Sequence, residues 1–403
     1  MAFDPASYVY LDYAATSPLC EEAAAAMAPY QASGRANLAV GANANSLHGP
    51  GRAAFEALEA ARRSLARDLG ARRPSEIVLT SGATEADDAA VLGIARAAAD
   101  ERRRRGAGVG FVPHVVTTAV EHDAVLAPAR RLEKEGFRVT RLSPNRQGFV
   151  DSAALAEALC ADTVLVSVQA ANSEVGSVQP VAALARAAHE AGALFHTDAV
   201  QALGKVPLDL AAAGVDAASL SAHKVGGPKG VGALYLRSRT PFEAHLIGGG
   251  QEGGMRSGTQ NVAGAAGFAA AVHAAVGMLE GESARLRGLR DRLYARLAKI
   301  PGVEATVAVE AGSEDFLPNI VHVLVDGFES ETLILRLDMQ GFGVSGGSAC
   351  SSHSLEPSHV LRALGVDADR ALGALRVSMG RWTSERDVDA FACALEASLN
   401  WGM

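Results

Sequence analysis

The chain has few cysteines and no pairing among them. Cys20, Cys160, Cys350 and Cys393 are widely spaced across 403 residues, with no Cys-x-x-Cys motif. That spacing points away from a disulfide framework and a zinc ribbon, and it suits a reducing compartment. Positive charge is also short. A formal net charge of -8 argues against a nucleic-acid partner, because phosphate binding needs clustered cations. The one basic run, Glu101 to Arg105, falls at the polar end of a predicted helix and reads as a solvated face. The opening residues MAFDPASYVYLDY lack a basic segment followed by an apolar core, so no signal peptide is expected. The most apolar long window, Val262 to Leu279, is mostly Ala and Gly and is interrupted by His273. It reads as a buried helix and not a membrane span. A cytoplasmic protein of two domains is the expectation, with no membrane partner.

What the chain does have is alternation. Tyr8 to Tyr13 reads as a short strand, and Asn37 to Gly51 as a polar, Gly-rich loop of the kind that carries function when buried near a site. Helix is predicted from Arg52 to about Leu69. Strands follow at Glu76 to Thr80, Val115 to Val120, Arg138 to Leu142, Thr163 to Gln169 and Leu194 to Thr197, separated by helical patterns. Such alternation implies an α/β fold with a mainly parallel sheet covered on both faces. Ligands of such sheets sit beyond the carboxyl ends of the strands. Thr84, His122, Asn172, Asp198 and Lys224 all fall there. After Asn261 the pattern changes to a charged helix at Ser283 to Ile300, a strand at Ile320 to Val325 and a helix at Glu331 to Met339, which reads as a smaller α+β unit.

Two junctions carry candidate chemistry. Ser81-Gly82-Ala83-Thr84-Glu85 turns from strand into helix, where free N–H groups and the Thr84 hydroxyl could seat a phosphate. An ordinary capping box with Ser81 or Thr84 as cap fits the same residues. The stretch Leu220 to Gly232, LSAHKVGGPKGVG, places Lys224 at a strand end before a Gly/Pro-rich turn. A partly desolvated amine there can form a Schiff base with a carbonyl such as pyridoxal phosphate, whereas a solvated turn lysine is the plainer alternative. Cys350 lies among small residues, Gly346 to Ser352. It can be read as a nucleophile on a loop able to move, as a small core cysteine, or as a metal ligand with His353 and His359, for which no fourth donor is nearby. Cys20, Cys160 and Cys393 fall on predicted helices and read as core cysteines.

With these positions in view, the chain resembles the cysteine desulfurases of the fold-type I, class V aminotransferase group over nearly its full length. The motifs that carry the resemblance are LDYAAT at 11 to 16, TSGATEA at 80 to 86, EHDAVL at 121 to 126, NSEVG at 172 to 176 and HTDAVQ at 196 to 201. SAHKVGGPKGVGALY at 221 to 235, GGGQE and MRSGT between 248 and 259, GGSACSSHSLEPSHVLRALG at 346 to 365 and LRVSMGR at 375 to 381 complete the set. The resemblance implies a large domain at 17–277 with a seven-stranded-type sheet, and a small α+β domain made of 1–16 and 278–403.

It also implies pyridoxal 5'-phosphate held by Lys224, with Asp198 on the pyridinium nitrogen, Gln201 on the ring hydroxyl and His122 stacked on the ring. Thr84, Ser221 and His223 would hold the phosphate with the Ala83 N–H, and Thr259 would reach the cofactor of the other subunit of a homodimer. Arg376 would bind the carboxylate of L-cysteine, with Asn172 near the substrate. The implied catalytic set is Lys224 taking the α-proton, His122 carrying a proton for the substrate thiol, and Cys350 attacking the substrate sulfur to keep it as a persulfide while alanine leaves. A protein sulfur acceptor, a scaffold or a carrier, is then expected, serving iron–sulfur cluster assembly, tRNA thiolation or another sulfur-modification pathway. A selenocysteine lyase or another C–S lyase is the alternative, with a cofactor-free binding protein behind it.

Three departures stand out. Asn43-Ala44 replaces the family's Asn-Pro, and Gly253 stands where an arginine is common. The sequence also ends soon after the last motif, without the longer tail through which some relatives dock a scaffold.

Overall fold

The computed structural model describes residues 4, 7–108, 110–347 and 357–400. In chain order its strands are β1 (Val9–Tyr10), β2 (Ile77–Thr80), β3 (His114–Thr118), β4 (Arg138–Leu142), β5 (Thr163–Ser167) and β6 (Leu194–Asp198). They continue as β7 (Ala217–Ser221), β8 (Gly232–Leu236), β9 (Val303–Ala305), β10 (Ile320–Val325), β11 (Phe342–Gly343) and β12 (Ala374–Ser378). Seven of them form one sheet in the order β2-β8-β7-β6-β5-β3-β4. Pairing is parallel from β7 through β4, and β8 runs antiparallel to both of its neighbours. The expected α/β architecture is confirmed, and the reversed strand is the part that alternation did not signal.

Side chains of successive strand residues divide between two cores, as the two-residue period requires. Ile77 and Leu79 of β2 join a core with Leu58, Leu65, Phe195 and Phe268. Val78, between them, joins the opposite core with Ile94, Val115, Leu132 and Leu165. In β8, Tyr235 faces the first core and Leu234 the second. Burial on both faces explains why these strands read as continuous apolar runs. Gly232 is required where β8 passes the β2 turn, since a Cβ there would come within 2.6 Å of both the Gly82 carbonyl carbon and the Leu220 oxygen.

A separate three-stranded antiparallel sheet, β12-β10-β9, and the parallel pair β1-β11 lie over another core built from Leu11, Leu293, Val323, Leu375, Val377 and Phe391. The window expected to be a buried helix is the helix Val262–Gly277, which meets the charged helix Leu279–Leu297 at 72°. No single helix among the described residues is long and apolar enough to cross a membrane.

The loop 251–261 is tied to the sheet by charge. Arg62, on the helix Gly49–Asp68, reaches Glu252 through Nη1 at 2.6 Å and Nη2 at 3.0 Å, and the Leu79 N–H donates to the same carboxylate at 2.9 Å. Both side chains are buried. Removing Glu252 would leave the buried Arg62 guanidinium with only Glu59, 2.8 Å from its Nε, as a charged partner, and the Leu79 N–H without its acceptor. Glu252→Ala is therefore expected to destabilise the protein by about 1 to 3 kcal/mol, read as a lower urea midpoint. An unchanged midpoint would show that the pair does not anchor the loop.

Candidate active site

A cavity of about 430 Å³ opens beyond the carboxyl ends of β2, β5, β6 and β7, lined also from the N-terminal segment and β12. Its size suits a small cofactor with its substrate. Ala83, Thr84, His122, Asp198, Gln201, Ser221, His223, Lys224 and Arg376 all border it. The parallel strands end side by side there, so residues distant in sequence meet.

Lys224 sits on the single turn Ala222–Val225 that follows β7, closed by Gly226 in the left-handed region at φ 81°. Its Nζ donates to the Ala14 and Ala15 carbonyl oxygens at 2.6 and 2.9 Å. Gln201 Nε2 donates to the same Ala14 oxygen at 3.0 Å, which turns Oε1 away, and Oε1 has no partner among the described residues. Asp198 ends β6 and accepts the Val200 N–H at 2.9 Å. Burial raises its pKa, opposed by the nearby His122 and Lys224. A cation set against it would hold the carboxylate ionised.

Arg376, on β12, is almost fully buried. It donates through Nη1 to the Ser173 oxygen and through Nη2 to Asp12, each at 2.9 Å, while Nε has no partner among the described residues. His122 caps the helix Asp123–Lys134 by accepting the Ala124 N–H at Nδ1, at 3.1 Å. His223 borders the cavity with its Nδ1 hydrogen-bonded to the Thr16 hydroxyl at 3.1 Å. Burial, then the charges of Lys224, Lys229 and Lys205, push it down to about 4.

The turn after β2 is neither simple alternative. The helix begins after Gly82, which supplies no side-chain cap. Ser81 donates through both N–H and hydroxyl to Glu85, at 2.8 and 2.5 Å, and Arg256 Nε holds that carboxylate at 2.8 Å. Ser81 and Glu85 are thus occupied with each other, and the first-turn residues Ala83 and Thr84 border the cavity.

Two expected site residues lie away from the cavity wall, and two candidates lie outside the described residues. Asn172 is buried beside it, its Nδ2 donating to the Val120 oxygen at 3.2 Å and its Oδ1 accepting the N–H groups of Glu174 and Val175. Its neighbours Ala171 and Ser173 do the lining. Thr259 is exposed and borders no part of this cavity. Cys350 and His353 lie outside the described residues. On either side of that gap, a Cβ on Gly347 would lie 3.5 Å from a Glu174 oxygen, and Ser358 donates to Glu174 at 2.7 Å. His359 Nε2 bonds the Glu121 carbonyl oxygen at 2.9 Å. Among the described residues no group of three or more His, Cys, Asp or Glu could hold a metal.

Of the other cysteines, Cys20 fits the core reading, buried at the cap of the helix Glu21–Met27 rather than within a helix. Cys393 is exposed on the helix Glu385–Leu399, and Cys160 lies beyond the end of the helix Ser152–Ala158, partly exposed with Arg138 Nη2 at 2.8 Å from its sulfur. The core reading fails for Cys393 because its helix face turns outward, and for Cys160 because the helix stops before it.

Sequence patterns also passed over two buried carboxylates beside the site. Asp87 borders the cavity, and burial, then Asp198, raise its pKa well above the usual range. Its Oδ1 has no hydrogen-bond partner among the described residues and stands 3.7 Å from His196 Nε2. Glu121 accepts the Thr118 hydroxyl at 2.7 Å and the Gln169 N–H at 3.0 Å. Only the adjacency of Asp87 to the TSGATEA motif and of Glu121 to His122 could have flagged them.

The chain matches the model of the aminotransferase class-V family over residues 9–391. It is 45% identical to a protein named cysteine desulfurase from Cereibacter sphaeroides, covering 94% of this chain and 93% of that one. It is 41% identical to the cysteine desulfurase IscS of Dictyoglomus turgidum, covering 96% and 93%. Among solved structures, a NifS-like protein superposes with a TM-score of 0.86 at 35% identity, over 98% of this chain and 100% of that chain. A structure described as SspA in complex with cysteine gives a TM-score of 0.76 at 30% identity, over 93% and 100%.

Burial pushes Glu121 up to about 8. The folded state then holds this proton more tightly than the unfolded chain, so the stabilisation is complete below about 4.5 and is lost as pH rises through about 8. Glu121→Gln is expected to flatten that decline, seen in denaturation midpoints taken between those limits. A decline as steep as the wild type's would show that Glu121 is ionised throughout.

Proposed function

The chain belongs to the aminotransferase class-V family, and from that premise we propose how its own residues perform the cysteine desulfurase reaction. It is a pyridoxal-phosphate-dependent cysteine desulfurase, which converts L-cysteine to L-alanine and mobilises the sulfur. The bound cofactor supplies an electron sink for the pair left when the substrate α-proton departs. What supports the assignment of residues is the meeting, in one cavity, of Lys224, Asp198, Gln201 and Arg376, with Gln201 Oε1 and Arg376 Nε buried and unpartnered among the described residues. An acceptor and a cationic donor left unmet in the interior are costly unless a ligand meets them.

Lys224 would hold the cofactor covalently, Asp198 would keep its ring nitrogen protonated, Gln201 Oε1 would accept from its ring hydroxyl and His122 would lie against the ring. The Ala83 N–H, Thr84, Ser221 and neutral His223 would hold its phosphate at the start of the helix after β2. Arg376 binds the substrate carboxylate, positioned by Asp12 and the Ser173 carbonyl. Asn172 keeps the turn before Ser173 in place and borders the substrate through it. Once the substrate amine has displaced it from the cofactor, the freed Lys224 amine takes the proton from the substrate α-carbon, and His122 takes the proton of the substrate thiol.

The Cys350 thiolate then attacks the substrate sulfur. A sulfur–sulfur bond forms, the carbon–sulfur pair returns to the β-carbon, which takes up the proton that His122 removed from the thiol, and alanine leaves with a persulfide on Cys350. The hydrogen bond from Ser358 to Glu174, with Gly347 close by, supports this role, because Glu174 adjoins Ser173 in the cavity wall.

We further propose that the persulfide passes to a protein acceptor, a scaffold or carrier, with iron–sulfur cluster assembly as the typical destination. The chain acts as a cytoplasmic homodimer in which the exposed Thr259 meets the phosphate in a second copy. Residues 17–277 form the large domain, and 1–16 with 278–403 the small one. The core of Leu11, Leu293, Val323, Leu375 and Phe391, drawn from 1–16 and 278–403 alone, supports that division.

Alanine release from L-cysteine with a reductant present tests the reaction. Cys350→Ala is expected to lower it by about 100-fold or more on equally cofactor-loaded protein, and equal release would leave a lyase in which Cys350 takes no part. Arg376→Lys keeps the charge but loses the planar fork. It is expected to raise KM for L-cysteine by about 10-fold or more, whereas an unchanged KM would place the substrate carboxylate elsewhere.

A further inference from the structure

Behind the Lys224 turn, on the side away from the cofactor cavity, lies a second buried amine. Lys205 is 8% exposed. It follows Gly204, whose φ of +68° is left-handed and whose Cβ, if present, would stand 2.8 Å from the Ala275 side chain. The glycine lets the chain press against the helix Val262–Gly277. Lys205 Nζ donates to the main-chain oxygen of Lys224 at 3.2 Å. The Ser17 hydroxyl donates to that same oxygen at 3.0 Å, and the Ser17 N–H to the His223 oxygen at 2.8 Å. The turn bearing Lys224 is therefore braced from two segments. One of them leads directly back to Gln201 and Asp198.

We propose that Lys205 is a positioning residue for Lys224: its amine holds the Lys224 carbonyl oxygen and so fixes the turn that aims the Lys224 amine into the cofactor cavity. The inference rests on the reading of Lys224 as the cofactor lysine. A plain core lysine would be expected to find a carboxylate, since an unpaired buried ammonium is costly. Among the described residues Lys205 has no such partner, its Nζ bonding the Lys224 oxygen instead. The charged and titratable groups that face it across the smaller cavity behind the turn are Tyr13, Cys20, Lys224, Glu282 and Arg381. Glu282 is held by Arg285 and Arg381 by Glu22, while His223 senses Lys205 from the turn itself. Burial, then the charge of Lys224, bring Lys205 down to about 7. The amine keeps a donor N–H in either state, and when charged it opposes a second positive charge on the Lys224 nitrogen.

The test compares Lys205→Met and Lys205→Arg with the wild type as folded, cofactor-loaded holoenzyme. Lys205→Met is expected to lower kcat for alanine release by about 10-fold with KM for L-cysteine within about two-fold. It should also move the pH midpoint of the visible absorption band of the bound cofactor upward, because a nearby cation is gone. Lys205→Arg, which retains donor and charge, is expected to restore both. Wild-type kcat and midpoint in Lys205→Met would overturn the proposal, as would equal losses in both variants with the midpoint unmoved, which mark a core packing role. Should Lys205→Met fail to fold, Lys205→Gln takes its place with the same expected midpoint shift, and an unmoved midpoint overturns the proposal. A wild type that binds the cofactor but releases no alanine would remove the desulfurase reading alone, since the absorption arm still reports on Lys205.

Discussion

The Ala14 carbonyl oxygen is the acceptor on which the site depends. Lys224 Nζ and Gln201 Nε2 both donate to it, so one backbone atom sets the direction of the amine and of the amide. The residues around it are fixed from both sides. Leu11 belongs to the core beneath the small sheet and Ala14 to a core of the large one. The Ala14 N–H donates to the Ser378 hydroxyl at 2.9 Å, and Asp12 holds Arg376. A short segment thus carries the position of Arg376 on one sheet to that of Lys224 on the other. Precision of this kind needs rigid supports, which two packed cores supply.

Electrostatics at the cavity floor follow from desolvation more than from pairing. Asp87, Glu121 and Asp198 are all buried carboxylates, and for each the largest influence is burial, which favours the neutral form. His196 lies among them, bonded to Ser167 and Ser219, and burial pushes it down to about 3. A neutral imidazole there avoids a stranded charge. Of the three carboxylates, Asp198 is the one in which the influences of His122 and Lys224 oppose burial. That difference marks it as the carboxylate suited to meet a positive ring nitrogen.

Much of this was legible in local pattern. The strand and helix periods gave the α/β class and put Thr84, His122, Asp198 and Lys224 at one edge of the sheet, where the cavity lies. The family motifs added Gln201, Ser221, His223 and Arg376. What escaped was set by neighbours distant in sequence. The reversal of β8 depends on a short return from β7, and nothing in the composition of Gly232–Leu236 distinguishes it from a parallel strand. Ser81 looked like a cap, yet Arg256, far along the chain, holds the Glu85 that occupies it. Gly253, which departs from the family's arginine, takes φ +64°, a conformation glycine adopts freely. Cys393 could not be told from a core cysteine because which face of an element meets solvent is a tertiary fact.

The sequence by itself determined the succession of elements, the family and the identity of the groups able to do the chemistry, because side-chain periodicity and motif spacing are properties of the chain. Tertiary structure decided which of those groups are buried, which atoms remain unpartnered and which carbonyl orients Lys224. Desolvation and hydrogen-bond pairing depend on residues brought together from far apart, as Ala14 and Lys224 are, and no local pattern records them.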